Sequence, residues 1–91
     1  MAINGVEGEF TADGDSAAVP VFGHFNVSLS GFGAATVAVR RSFDRGQTWK
    51  DVDVFTENVE RRGYEPEPAM LYKLTCSGYG SGPIQYRLSA R

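Results

Sequence analysis

The run Ser42-Phe43-Asp44-Arg45-Gly46-Gln47-Thr48-Trp49 constrains the fold more than any other part of the chain. A carboxylate at Asp44 is placed to accept hydrogen bonds from backbone N–H groups of a reversal, and Gly46 can take the positive φ that a tight reversal demands. Thr48 and Trp49 then begin a return strand. Thr36-Val37-Ala38-Val39 runs in and Val52-Asp53-Val54-Phe55 runs out, so the spacing predicts a β-hairpin.

The rest of the chain agrees with that start. Apolar and polar residues alternate with period two in several short segments, and none keeps helical spacing over three turns, which predicts an all-β fold. Phe25, Val27 and Leu29 fall on one face and Asn26, Ser28 and Ser30 on the other. Val37 and Val39 are expected inward on the next strand, then Val52 and Val54, with Asp51 and Asp53 outward. Met70, Tyr72, Leu74 and Cys76 share a face, as do Ile84, Tyr86 and Leu88, and Gly78-Tyr79-Gly80-Ser81-Gly82-Pro83 between them reads as a loose hairpin loop. Asp13-Gly14-Asp15 marks a turn between two weaker strands at 7–11 and 17–22. Residues 57–62 are polar and ambiguous, and Tyr64-Glu65-Pro66-Glu67-Pro68 reads as an extended crossing rather than a strand interior. About seven or eight short strands predict a small antiparallel β-sandwich of jelly-roll-like form. One domain over 1–91 is expected, with 1–15 as an N-terminal arm or weak edge strand. A propeller needs at least four blades of roughly 40 to 45 residues, which this length excludes.

With 9 basic against 11 acidic side chains and no basic run interleaved with aromatics, nucleic acid is not an expected partner. One cysteine, Cys76, excludes an intramolecular disulfide, and one histidine, His24, leaves no His/Cys metal set, so no metal or other cofactor is expected. The segment Met1-Ala2-Ile3-Asn4-Gly5 lacks a basic start followed by an apolar stretch, and no apolar run approaches the ~20 residues of a membrane helix. Synthesis and assembly in a cytoplasm, away from membranes, is the expectation.

Candidate sites are few. His24 lacks a Ser, Cys or acid at a recognisable offset, so no catalytic residue is assigned and no enzyme is expected. Cys76, beside Leu74 on the inward face, reads as a core thiol. Asp13/Asp15, Asp51/Asp53 and Glu65/Glu67 could be read as calcium ligands or an acid–base pair. A hard-cation loop needs more oxygens than Asp13-Gly14-Asp15 supplies, and solvated turns and outward strand faces explain the three pairs more simply. Among the aromatics, Trp49, Tyr64 and Tyr79 are candidates for a carbohydrate face. Trp49 is expected to pack on its own hairpin and Tyr79, in the glycine-rich loop, to be exposed. Asn26-Val27-Ser28 matches a glycosylation sequon, read as coincidence. Ile3, Val6 and Phe10 near the start, with Tyr79, are candidate contacts for a partner protein.

The spacing Ser42-x-Asp44-x-Gly46-x-Thr48-Trp49 resembles the Asp-box, a hairpin signature found in sialidases and many unrelated β-proteins, where it lies away from the chemistry; the resemblance implies a structural role for these five residues. Residues 25–31, the run 36–49, Gly63-Tyr64-Glu65-Pro66 and the closing Tyr86-Arg87-Leu88-Ser89 together resemble a family of small tailed-phage virion proteins, over roughly residues 23 to 90. That resemblance implies a structural decoration, cement or head-spike protein bound to the major capsid protein or another virion protein, on the particle surface. By analogy with such proteins, a homotrimer is the expected oligomer. A carbohydrate-binding module of a tail, fibre or spike, using Tyr64 and Tyr79, is the alternative.

Overall fold

Two strands organise the molecule because each is long enough to serve both layers. The computed structural model describes residues 4–90. Its strands are β1 (Asn4–Phe10), β2 (Gly14–Asp15), β3 (Val19–Ser30), β4 (Ala34–Ser42), β5 (Lys50–Phe55), β6 (Val59–Ser81) and β7 (Ile84–Ala90), with no helix among the described residues. All pairs are antiparallel, in the order β1-β7-β3-β6-β4-β5, with β2 also paired to β6. β3 has 12 residues and β6 has 23, against about 5 or 6 for an ordinary strand.

The β3–β6 ladder slips where the sheet folds. Val21 pairs with Met70, but Gly23 pairs with Glu65, so Pro66-Glu67-Pro68-Ala69 stands against Phe22 alone. Pro66 and Pro68 have no N–H to donate, so regular pairing must lapse there. Beyond the slip, β1, β7, the second half of β3 and the first half of β6 form one layer. The second half of β6, with β2, β4, β5 and the start of β3, forms the other. Strands that pass from one layer to the other through bulges are how a single sheet closes on itself as a sandwich. Phe25 lies opposite Gly63 in the ladder, yet its ring centroid is 4.8 Å from that of Tyr72, which belongs to the other layer. Gly63 is required here, because a Cβ would overlap the Phe25 ring.

The core lines the inner faces: Val19, Val21, Phe25, Val27 and Leu29 from β3, Val37 and Val39 from β4, Met70, Tyr72, Leu74 and Cys76 from β6, and Ile84, Leu88 and Ala90 from β7. Full burial of each large aliphatic contributes about 1.5 to 3 kcal/mol. The all-β antiparallel sandwich and these inward series match the sequence pattern.

Four expectations are corrected. The segments expected at 17–22 and 25–30 are one strand from Val19 to Ser30. The stretch from Val59 through 64–68 and 70–76 is one strand, β6, and the glycine-rich run read as a loose loop continues β6 to Ser81, leaving only Gly82-Pro83 between the strands. Val52 and Val54 face out, 45% and 50% exposed. The β4–β5 register steps from Val39↔Asp53 to Arg40↔Asp51, so Val52 is the extra residue of a bulge and the strand's parity turns over. Asp53 and Phe55 consequently take the inward side, where Asp53 pairs with Arg61 Nη1 (2.8 Å) and the Arg61 guanidinium lies 5.2 Å over the Phe55 ring. Of the two readings of the N-terminal segment, arm or edge strand, the described residues show the edge strand: β1 ends the sheet order and pairs with β7 from Asn4↔Ala90 to Phe10↔Ile84.

Candidate functional site

The Ser42–Trp49 turn is held by its own side chains. Thr48 N–H donates to Asp44 Oδ1 (2.9 Å), Thr48 Oγ1–H donates to Asp44 Oδ2, and Ser42 Oγ–H donates to Asp44 Oδ1 (2.7 Å). Ser42 Oγ in turn accepts from the N–H groups of Gly46 (2.8 Å) and Asp44 (3.3 Å). Arg45 and Gly46 have φ of 62° and 90°, the left-handed pair that reverses the chain. Trp49 Nε1–H closes the loop on the Gly46 carbonyl (3.1 Å), and its ring receives the Lys73 ammonium 4.4 Å from its centroid. The Thr48 hydroxyl, then the Thr48 N–H and the Ser42 hydroxyl, hold the Asp44 carboxyl at about 2, below its usual 3.8.

A second carboxylate is buried at the fold of the sheet. Glu65 is fully buried and accepts Arg41 Nε–H on Oε1 and Nη2–H on Oε2 (2.9 Å each), the Tyr72 hydroxyl on Oε1 (2.8 Å) and the Glu67 N–H on Oε2 (3.0 Å). The Glu67 N–H has no ladder partner because of the flanking prolines, and the carboxylate takes that role. Burial opposes the charge on Glu65, but the bonds from Tyr72, Glu67 and Arg41 outweigh it, so its carboxyl lies below the usual range. Burial, then the adjacent carboxylate, pushes the Tyr72 phenol up to about 12. Every acceptor direction of the carboxylate is occupied from within, so this group braces the bulge and has no free face for a substrate.

The remaining candidates separate cleanly. Phe10 is buried and stacks on Tyr86 (centroids 4.5 Å), so it belongs to the core and is not a partner contact. Val6 is half-buried against that core, and Ile3 lies outside the described residues. Tyr79 is not the exposed ring expected: it packs against the core, and its N–H donates to Asp13 Oδ1 (2.7 Å). Asp15 accepts the Thr75 hydroxyl (2.7 Å) and the Lys73 ammonium (3.2 Å), which with the Tyr79 bond spends the Asp13/Asp15 pair on holding β2 and its turn to β6. Cys76 is buried, and burial, then the nearby Asp13 charge, raises its thiol above the ordinary value, away from the thiolate that would react.

Tyr64 is 60% exposed and faces outward. It pairs across strands with His24, the ring centroids 4.9 Å apart, and Phe22, one step of the pleat away from His24, is 55% exposed. On the same face the next pair is Asn26↔Arg62 and the one after is Ser28↔Glu60, where the Ser28 hydroxyl donates to the Glu60 carboxylate. An open depression lined by Asn26, Glu60, Arg61 and Arg62 adjoins these residues. Period-two alternation places His24 and Asn26 outward on β3, but it does not reveal that Tyr64 and Arg62 stand opposite them. The antiparallel alignment of 59–65 with 23–29 is the signal that sets out the quartet.

Comparison of the chain with protein-family models, with curated proteins and with solved structures gives no match.

Proposed function

We propose that the protein is a non-enzymatic structural component of a tailed-phage particle, a decoration or cement protein that docks on the major capsid protein or another virion protein and stabilises the shell. It would be made in the host cytoplasm and assemble as a homotrimer. The observation that carries this reading is the set of large apolar side chains on the outer surface, Phe22, Phe43, Val52, Val54 and Tyr64, each at least 45% exposed. A small domain that leaves such residues open gains stability when a neighbour covers them. The virion-protein resemblance of residues 23 to 90 gives the neighbour its chemistry. The test is the copy number of this chain relative to the major shell protein in purified source particles, by quantitative mass spectrometry. Near one copy per shell subunit supports decoration, a few or a dozen copies move the protein to a spike or tail, and absence removes it from the particle.

A carbohydrate-binding module is the second reading, favoured by the outward Tyr64 ring beside polar side chains. Tyr79, half-buried and engaged with Asp13, contributes no ring to it. Loss of glycan binding in Tyr64→Ala with folding intact supports this reading; glycan-array silence of the folded wild-type chain removes it.

A further inference from the structure

We infer that the outer face around Tyr64 is a binding site for an acidic sugar, with Tyr64, Arg62 and Asn26 as its contacts and a uronate residue of a polysaccharide as its ligand; this rests on the carbohydrate-binding reading. Three observations converge. The Tyr64 ring is open to solvent and lies beside the His24 ring across the ladder, their centroids 4.9 Å apart and their planes tilted by 54°. An outward aromatic ring of this kind offers a flat face on which the C–H side of a pyranose can stack.

Arg62 is exposed on the same face of the same strand, and it takes part in none of the ion pairs among the described residues, whereas Arg40, Arg41, Arg61 and Lys73 each hold a carboxylate. Its Cα is two residues from that of Tyr64, roughly 7 Å along a strand. A sugar stacked on the ring therefore brings a ring carboxylate within reach of the guanidinium fork, which suits bidentate capture of a planar anion. Asn26 stands directly opposite Arg62 and offers an amide donor and acceptor for a neighbouring hydroxyl.

Charge sets the class of ligand. Glu60, the nearest acid on this face along the strand, keeps its negative charge while it accepts from the neutral Ser28 hydroxyl, and Asp53 and Asp51 are paired with Arg61 and Arg40. Arg62 stands between Tyr64 and Glu60 along the strand, so the positive charge adjoins the ring and the negative one lies on its far side, which favours a singly charged sugar at Tyr64 over a neutral one. A densely sulfated chain gains less, because Glu60 lies one pleat beyond Arg62.

The test is titration of the full chain, by backbone amide NMR, with short oligosaccharides of galacturonate, mannuronate, guluronate and glucuronate. Maltohexaose and a chitin oligomer serve as neutral probes. At least one uronate is expected to shift the amides around Tyr64, Arg62 and Asn26, and to bind at least about tenfold more tightly than the neutral probes. Arg62→Gln and Tyr64→Ala should each weaken that binding about tenfold or more, with Tyr64→Phe retaining it. Both positions are exposed, and an unchanged amide spectrum elsewhere establishes that the variants fold. Neutral probes binding through Tyr64 as tightly as uronates would overturn the acidic-sugar assignment while leaving the carbohydrate reading intact. Silence of all six probes would remove both.

Discussion

The Ser42–Trp49 turn and the fold of the sheet at Glu65 are each built around one carboxylate, and they differ in where its partners come from. Asp44 is held by Ser42 and Thr48, two and four residues away, at a surface turn. Glu65 is held by Arg41, Tyr72 and Glu67, of which Arg41 is 24 residues away, inside the molecule. The first arrangement shapes a short stretch of backbone. The second ties β4 and both halves of β6 into one unit and so sets the angle between the layers. Shielding from water makes loss of a partner costlier in the second case.

The largest effect should follow from breaking the buried set. Glu65→Ala leaves the Tyr72 hydroxyl and the Glu67 N–H without their acceptor and the Arg41 guanidinium with only the Glu67 carboxylate at 3.4 Å, and should cost about 3 to 5 kcal/mol in urea unfolding. A loss below about 1 kcal/mol would mean that water enters and replaces the carboxylate. Next, Gly63→Ala forces a methyl against the Phe25 ring and should cost about 1 to 3 kcal/mol. Gly14→Ala, where nothing lies within 4 Å of the added carbon, should stay within about 0.5 kcal/mol of wild type.

The two carboxylates also differ toward pH. With its carboxyl held at about 2, Asp44 contributes stability that is fully present above the ordinary value of 3.8 and is lost as pH falls through about 2. The melting-temperature deficit of Asp44→Asn at neutral pH, smaller than that of Glu65→Ala, should therefore shrink between pH 4 and 2. A constant deficit would mean that the charge does not matter. At the alkaline end Tyr72 is raised to about 12, so its stabilising contribution is complete below the usual 10 and lost as pH rises through about 12. One of the 4 tyrosines should ionise late in an ultraviolet titration, and Tyr72→Phe should remove that late step. On the outward face of β5, Val52→Thr and Val54→Thr should, like Gly14→Ala, each change stability by no more than about 0.5 kcal/mol.

The same contrast decides what the sequence discloses. The turn is legible because its determinants are contiguous, and the inward series of β3, β4, β6 and β7 are legible because period two survives along each. Val52 and Val54 are misplaced because one bulged residue inverts parity, and no local signal marks it. Glu65 stays hidden among acids and prolines that read as solvated. The hint lies elsewhere: Arg41 continues the inward series of Val37 and Val39, and a cation on an inward face requires an acid that no neighbour in sequence supplies. The Tyr64 site is half legible, its residues visible one by one and their pairing hidden until β6 is seen to continue past its prolines.

The central structural claim is that the Glu65 set makes the fold of the sheet a global feature while the Asp44 turn is a local one. Native-state hydrogen exchange tests it on two comparable amides, since the N–H groups of Glu67 and Thr48 both donate to carboxylates at 3.0 and 2.9 Å. The account predicts that Glu67 exchanges only with the free energy of global unfolding and that Thr48 exchanges through local opening at lower cost. Glu67 exchanging as readily as Thr48 would contradict it.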